Sequence, residues 1–177
     1  MEVNVLAISA NGQLFAAGSY HSATLRTWNL RSGRPAGRRD FKIRNYFQLA
    51  ISPDGQRITT GRDGQSFNFN VWTSDLRVHE MSLLGHRDVA SAVAFSADGQ
   101  TLATGGEDGL LKLWHLPTQR EVLTLLSLEQ GVRVDYLAFS ADGRWLGAAD
   151  NQGILHLFQA PAPAEAAPGT DLRLTEP

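Results

Sequence analysis

Histidines, serines and carboxylates are the residues of this chain that could do chemistry, and their spacing decides which chemistry is open to them. The 177 residues include five histidines, at His21, His79, His86, His115 and His156. None of them stands at metal-ligand spacing with a carboxylate cluster. A Ser-His-Asp triad could assemble from distant parts of the chain, but there is no Gly-x-Ser-x-Gly, no His-Glu-x-x-His and no phosphate-binding Gly loop ending in Lys-Ser/Thr. We therefore expect no catalytic residues, no metal and no cofactor.

The charge balance and the composition argue against further classes of partner and site. Sixteen basic and eighteen acidic residues leave a net charge of −2, which argues against nucleic acid and anionic membranes as partners. The absence of cysteine excludes disulfides and thiolate sites. No apolar run is long enough to span a membrane, and "MEVNVLAISANGQ" has no basic start before an apolar run. We expect neither a membrane span nor a signal peptide, and a cytoplasmic location by default.

One segment departs from this balance. Arg31–Arg44, "RSGRPAGRRDFKIR", holds six basic residues and one acidic residue. The simpler interpretation is a solvated outer strand and loop, and the alternative is a phosphate-binding patch on the rim.

The sequence repeats itself four times with a period of 43 or 44 residues. Val93–Gly106 reads "VAFSADGQTLATGG" and Leu137–Asp150 reads "LAFSADGRWLGAAD", and looser copies begin at Leu6 and Leu49. The turn dipeptides are Asn11-Gly12, Asp54-Gly55, Asp98-Gly99 and Asp142-Gly143. An aromatic residue follows each glycine by 15 to 17 residues, at Trp28, Trp72, Trp114 and Phe158. A fixed period of this length is typical of a repeat architecture.

Each repeat predicts four short antiparallel strands. Asn-Gly or Asp-Gly between apolar runs is a strong hairpin signal, because a tight hairpin turn needs positive φ. In the third copy, Asp98-Gly99 joins the first two strands, a second turn precedes "LLKLWHL", and a turn at Pro117 precedes "REVLTLL". Gly, Asn and Asp interrupt the chain about every ten residues, which excludes helices. The sequence therefore predicts an all-β chain.

The stretch Leu83–Leu116, "LLGHRDVASAVAFSADGQTLATGGEDGLLKLWHL", resembles a WD-repeat blade, the unit of a β-propeller family with Gly-His near its start and Trp-Asp near its end. The resemblance covers nearly all of residues 3–159, although no unit ends in Trp-Asp. It implies a β-propeller or propeller segment of four-stranded antiparallel blades with incomplete outer units. The units run over about 3–43, 44–85, 86–129 and 130–159. A Pro/Ala-rich linker follows at 160–170, and the tail 171–177 could supply an extra strand.

The resemblance also implies a structural tetrad. Blades of this family often hold a hydrogen-bonded Asp, His, Ser/Thr and Trp, and the matching positions are His86, Thr104, Asp108 and Trp114. Only the third unit has all four residues. The second unit keeps Thr60 and Trp72.

Partners of such proteins commonly dock on the face that gathers the loops between second and third strands and the loops leading into first strands. By position, the candidate partner-binding face consists of Tyr20, His21, Arg44, Asn45, Arg62, Asp63, Arg87, Asp88, Glu107, Asn151 and Gln152.

The way in which the ring closes stays open at this point. The chain could be the C-terminal part of a larger propeller, it could pair with a second copy to give eight blades, or it could form a four-blade arc alone. The resemblance implies a non-catalytic scaffold that binds other proteins. The alternatives are the C-terminal sensor part of a larger regulatory or signalling protein and a propeller-type hydrolase or lactonase.

Overall fold

Four antiparallel sheets of four strands each make up the fold in a computed structural model of the chain. The structure describes residues 3–19, 21–41, 48–61, 68–160 and, as backbone, 172–174. Strands, turns and bends account for all regular structure in these ranges, and no helix occurs in them. The all-β prediction is confirmed.

The strands follow one another in chain order within every sheet. Sheet 1 consists of β1 (Val5–Ile8), β2 (Leu14–Ser19), β3 (Thr24–Asn29) and β4 (Pro35–Asp40). Sheet 2 consists of β5 (Leu49–Ile51), β6 (Arg57–Gly61), β7 (Phe69–Thr73) and β8 (His79–Leu83). Sheet 3 consists of β9 (Ala90–Phe95), β10 (Thr101–Gly106), β11 (Leu110–His115) and β12 (Arg120–Ser127). Sheet 4 consists of β13 (Val134–Phe139), β14 (Trp145–Asp150), β15 (Leu155–Gln159) and β16 (Leu172–Leu174).

The expectation of incomplete outer units is wrong, because both outer sheets have four strands. Sheet 1 begins with a β1 of only four residues, which pairs antiparallel with β2. Sheet 4 takes its last strand from the tail of the sequence, where β16 pairs antiparallel with β15.

The first hairpin of every sheet is built in the same way. In sheet 3, Gly99 has a φ of 69°, which a glycine adopts without strain. The Ser96 hydroxyl donates to the Asp98 carboxylate at 2.6 Å and accepts the Thr101 N–H at 2.9 Å. Equivalent serines stand at Ser9, Ser52 and Ser140. The four hairpin predictions are confirmed, and the serine explains why each turn holds the same register.

The sheets pack face to face, with the innermost strands β1, β5, β9 and β13 in contact in that order. Each sheet has a tryptophan face, which carries the repeat aromatic, and an opposite small-residue face. In sheet 3, Leu102 and Trp114 are paired on the tryptophan face and pack against Phe69 of sheet 2. Ala103 lies on the small-residue face and packs against sheet 4. One apolar cluster therefore fills each of the three joints between sheets.

Candidate functional site

The four residues of the predicted tetrad lie in one hydrogen-bonded chain through sheet 3. The Trp114 indole N–H donates to the Thr104 hydroxyl oxygen at 2.8 Å, and Thr104 Oγ1 lies 2.8 Å from His86 Nε2. His86 Nδ1 lies 3.1 Å and 3.2 Å from the two oxygens of Asp108. His86, Thr104 and Trp114 are all buried, so these bonds form in a low-dielectric interior where unmade ones cost most.

Burial and the neighbouring carboxylate decide the protonation state of His86 in the tetrad. Burial lowers the pKa of His86 and outweighs the opposing effect of the Asp108 carboxylate, so the ring is neutral near pH 7. A neutral ring has one donor and one acceptor nitrogen. Nδ1–H donates to Asp108, and Nε2 accepts the Thr104 hydroxyl proton. Every buried polar side-chain group of the tetrad then has a hydrogen-bond partner.

Asp108 connects this interior chain to the exposed loops. Its carboxylate accepts the backbone N–H of Arg87 at 2.8 Å and that of Leu110 at 3.1 Å. Nearby, the Glu107 N–H donates to the Val89 carbonyl at 2.8 Å. The loop before β9 and the turn between β10 and β11 are therefore held to each other by groups anchored in the core.

The other sheets arrange their polar interiors differently. In sheet 2, the Trp72 indole donates to Thr60 Oγ1 at 3.0 Å. In sheet 4, His156 Nε2 lies 3.0 Å from Asp150 Oδ2, and both residues are buried. His156 Nδ1 is also buried and has no hydrogen-bond partner among the described residues. Sequence reasoning missed the second pair. The signal was an aspartate at the repeat position where the third unit has Gly106, followed by a histidine in an apolar strand.

The predicted partner-binding face falls into two groups. Tyr20, Arg44, Asn45, Arg62 and Asp63 lie outside the described residues. The remaining six are all exposed and lie in loops or turns on the side of the sheets opposite the Ser-Asp hairpins: His21, Arg87, Asp88, Glu107, Asn151 and Gln152.

A cleft of about 560 Å³ opens on this loop face. Of the predicted residues, Glu107 lines it. The sequence analysis did not single out the others that line it, which are Gln48, Val89, Ala90, Ser91, Arg133, Asp135 and Tyr136. The signal for Tyr136 was again in the repeat: it is a large aromatic, 75 % exposed, where the third unit has Ala92.

The cleft is lined by polar and apolar groups together, and hydrogen bonds hold several of its residues. Arg133 Nε donates to Asp135 Oδ1 at 2.6 Å, and Ser91 Oγ donates to the Val134 carbonyl at 2.6 Å across the joint between sheets 3 and 4. Asn151 Oδ1 accepts the Arg133 N–H at 3.0 Å. Two side chain to backbone bonds therefore hold the Arg133–Val134 side of this cleft.

The basic segment forms the outer strand β4 as far as it is described. Arg38 pairs with Asp40 at 3.1 Å on the surface. The Arg39 guanidinium carbon lies 3.6 Å from the ring centroid of Trp72, a cation–π contact. Arg39 thus packs against sheet 2, whereas Lys42 and Arg44 lie outside the described residues.

Among the described residues, no group of three or more His, Cys, Asp or Glu side chains is placed to hold a metal ion. In the same residues, no helix is long and apolar enough to cross a membrane.

Sheets of four antiparallel strands, stacked in chain order about their innermost strands, are the blades of a β-propeller. Residues 77–115, which include the tetrad, match the family described as "WD domain, G-beta repeat". This match, together with the four blades, supports a WD-repeat family for the chain.

Several curated proteins are similar to it. WD repeat-containing protein 90 of Mus musculus is 28 % identical over 139 residues, which cover 70 % of this chain and 7 % of that protein. Target of rapamycin complex subunit wat1 of Schizosaccharomyces pombe is 31 % identical over 58 % of this chain and 32 % of its own length. The guanine nucleotide-binding protein subunit beta-1 of Homarus americanus is 36 % identical over 38 % of this chain and 19 % of its own length. The chain spans less than a third of the length of each of these relatives.

Proposed function

We propose that the chain is a non-catalytic interaction module whose loop face, centred on the cleft between Glu107 and Arg133, binds a partner protein. Similarity to WD-repeat proteins supports a protein-interaction role in general. Two of the similar proteins are named as subunits, one of a complex and one of a guanine nucleotide-binding protein.

The observation that carries the proposal is the connection from Trp114 to the loops. The buried chain ends on Asp108, whose carboxylate holds the Arg87 and Leu110 backbones. Loops held in this way lose little conformational entropy when a partner docks, so more of the contact energy appears as affinity.

The chemistry of the cleft fits a protein surface. Arginine and tyrosine are enriched among the residues that contribute most to protein–protein binding, and Arg133 and Tyr136 stand side by side with Glu107 and Asp135. The two histidine–carboxylate pairs, at His86 and His156, are buried inside sheets, where a substrate does not reach them. Their positions favour a structural role over the hydrolase alternative.

The test is affinity capture from cell extract with the wild-type chain and two charge-reversed variants, followed by binding measurements with the purified partner. Arg133→Glu reverses a charge in the cleft, and Arg144→Glu reverses an exposed charge at the opposite end of sheet 4. We expect Arg133→Glu to weaken binding by about 30-fold or more, in the range of an interface arginine, and Arg144→Glu to leave binding unchanged. A partner that binds Arg133→Glu as tightly as wild type would refute the assignment of this face.

A further inference from the structure

Sheet 1 exposes a surface that the other three sheets bury. The apolar residues of its tryptophan face are Leu6, Ile8, Phe15 and Trp28, whose repeat equivalents in sheet 3 are Val93, Phe95, Leu102 and Trp114. In sheet 3 these residues pack against sheet 2, and Leu102 and Trp114 are almost fully buried. In sheet 1, Leu6 is 62 % exposed and Ile8 is 58 % exposed, with Phe15 and Trp28 half-buried.

The equivalent sets in sheets 2 and 4 behave like the set in sheet 3. Ile51, Ile58 and Trp72 pack on sheet 1, and Phe139, Leu146 and Phe158 belong to the cluster shared with sheet 3. In sheets 2, 3 and 4, the apolar residues of the tryptophan face therefore pack on the preceding sheet. Sheet 1 has a similar apolar set on its tryptophan face, but none of the other three sheets covers it.

Sheet 4 exposes the opposite, small-residue face. Its third strand places Leu155 there, and the equivalent residues in sheets 1 to 3 are Leu25, Phe69 and Leu111. Those three side chains are 0 % exposed because the next sheet covers them, whereas Leu155 is 39 % exposed.

The two uncovered faces match the two sides of the internal joints. On the small-residue face, Ala138 and Gly147 of sheet 4 stand where sheet 3 has Ala94 and Ala103. Small residues at these positions leave room for the large apolar side chains of the neighbouring tryptophan face.

Two further positions test this match. Arg26 of sheet 1 has a precedent, since Lys112 occupies its position in a packed joint and is 7 % exposed. Tyr136 departs from the match, because it replaces Ala92 at the edge where the cleft opens.

We propose that the tryptophan face of sheet 1 docks on the small-residue face of sheet 4 of a second copy of this chain. The contact repeats the joint that already connects sheets 1 to 2, 2 to 3 and 3 to 4. The contact is head-to-tail, and in the proposed pair two copies that each offer both faces form a ring of eight sheets, a number within the range of known propellers.

The size of the faces is sufficient for a stable pair. Four strands about 4.8 Å apart, each about five residues long at about 3.4 Å per residue, give a face of roughly 300 Å². A closed pair has two joints and four faces, so it covers at least about 1,200 Å², which is the lower end of stable protein interfaces.

Sedimentation velocity of the purified chain over a range of concentrations tests the proposal. We expect a species of twice the chain mass of 19.3 kDa. Leu6→Glu and Leu155→Glu each place a charge in both joints of the closed pair, and each is expected to raise the dissociation constant at least about 100-fold. Val122→Glu changes a side chain that is 63 % exposed on the outer strand β12, and it should leave the dimer unchanged.

Mixing the variants distinguishes the head-to-tail contact from other pairings. Leu6→Glu keeps its sheet 4 face and Leu155→Glu keeps its sheet 1 face. The mixture should therefore form a dimer through one joint, which is weaker than the wild-type pair but tighter than either variant forms alone. The double variant, Leu6→Glu with Leu155→Glu, should stay monomeric when mixed with itself. All variants must first show wild-type circular dichroism and a cooperative melt.

Two results would overturn the proposal. A monomeric wild type at all concentrations would mean that the faces are left for further sheets of a longer chain. A dimer that is lost in Leu6→Glu and kept in Leu155→Glu would mean that two copies of sheet 1 face each other.

Discussion

Sheets 3 and 4 begin with almost the same fourteen residues and yet arrange their buried polar groups differently. Sheet 3 runs a chain of four side chains from Trp114 to Asp108 and out to the loop backbone. Sheet 4 has Phe158 and Ala148 at the positions of Trp114 and Thr104, and so has no indole N–H to satisfy there. Its polar interior contains the Asp150–His156 pair instead.

The difference shows what the tetrad contributes. Asp150 also accepts backbone N–H groups, those of Gln152 and Ile154 at 2.9 Å, so it holds the turn of its own sheet. Asp108 differs because one of its acceptor bonds reaches Arg87, twenty-one residues away in the loop before β9. The tetrad is therefore a long-range connection, whereas the sheet 4 pair is a local one.

The largest loss of stability should come from removing the Trp114 side chain of the tetrad. Trp114→Ala deletes a side chain that is 3 % exposed and fills the joint between sheets 2 and 3, and we expect it to cost about 3–5 kcal/mol in the free energy of unfolding. Phe158→Ala, at the matching position of sheet 4, should cost less because Phe158 is only half-buried. Urea denaturation of both variants measures the difference. A cost below about 1 kcal/mol for Trp114→Ala would contradict the packing described for sheet 3.

Removing the buried threonine hydroxyls should lower the free energy of unfolding by smaller amounts, which differ between sheets 3 and 2. Thr104→Val keeps the shape and leaves two buried groups without a partner, the Trp114 N–H and His86 Nε2, at a cost of about 2–3 kcal/mol. Thr60→Val in sheet 2 leaves only the Trp72 N–H without its partner and should cost about 1–2 kcal/mol. Sheet 4 already has an alanine at this position. Equal costs for the two valine variants, measured by urea denaturation, would mean that the bond to His86 contributes nothing.

The smallest predicted effect is a pH dependence of the free energy of unfolding, which differs between sheet 3 and sheet 4. The pKa of His86 is lowered in the fold, so the unfolded chain takes up a proton near pH 6.5 while the folded chain does not. The free energy of unfolding should therefore fall as the pH drops below about 6.5, by at most about 1.4 kcal/mol per pH unit from this group.

The stability contribution of Asp150 in sheet 4 should be lost only at a lower pH. Burial opposes ionisation of Asp150, but hydrogen bonds from His156 and two backbone N–H groups outweigh burial and lower the pKa. Its contribution is present above about pH 4 and is lost as the pH falls further. Urea denaturation from pH 7.5 to 5 should show a slope that His86→Gln flattens and Asp150→Asn does not. A slope that persists in His86→Gln would assign it to another group.

Much of the fold is readable from the sequence because its signals are local. Asp98-Gly99 and its three equivalents specify hairpins through positive φ, and the periodic aromatics specify one face of each sheet. The tetrad positions follow from a resemblance that the third unit carries in full. The cleft was not predicted in this way, since Arg133, Asp135 and Tyr136 gain a role only when sheets 3 and 4 lie side by side.

The sequence by itself therefore determined the number of sheets, their strand order and the place of each hairpin, because turn chemistry acts between residues that are close in the chain. Only the tertiary structure decided two other features. These are the bond from Asp150 to His156 and the exposure of the outer faces at Leu6 and Leu155. The physical reason is that burial and hydrogen bonding depend on which sheet lies against which, and residues far apart in the chain set that arrangement.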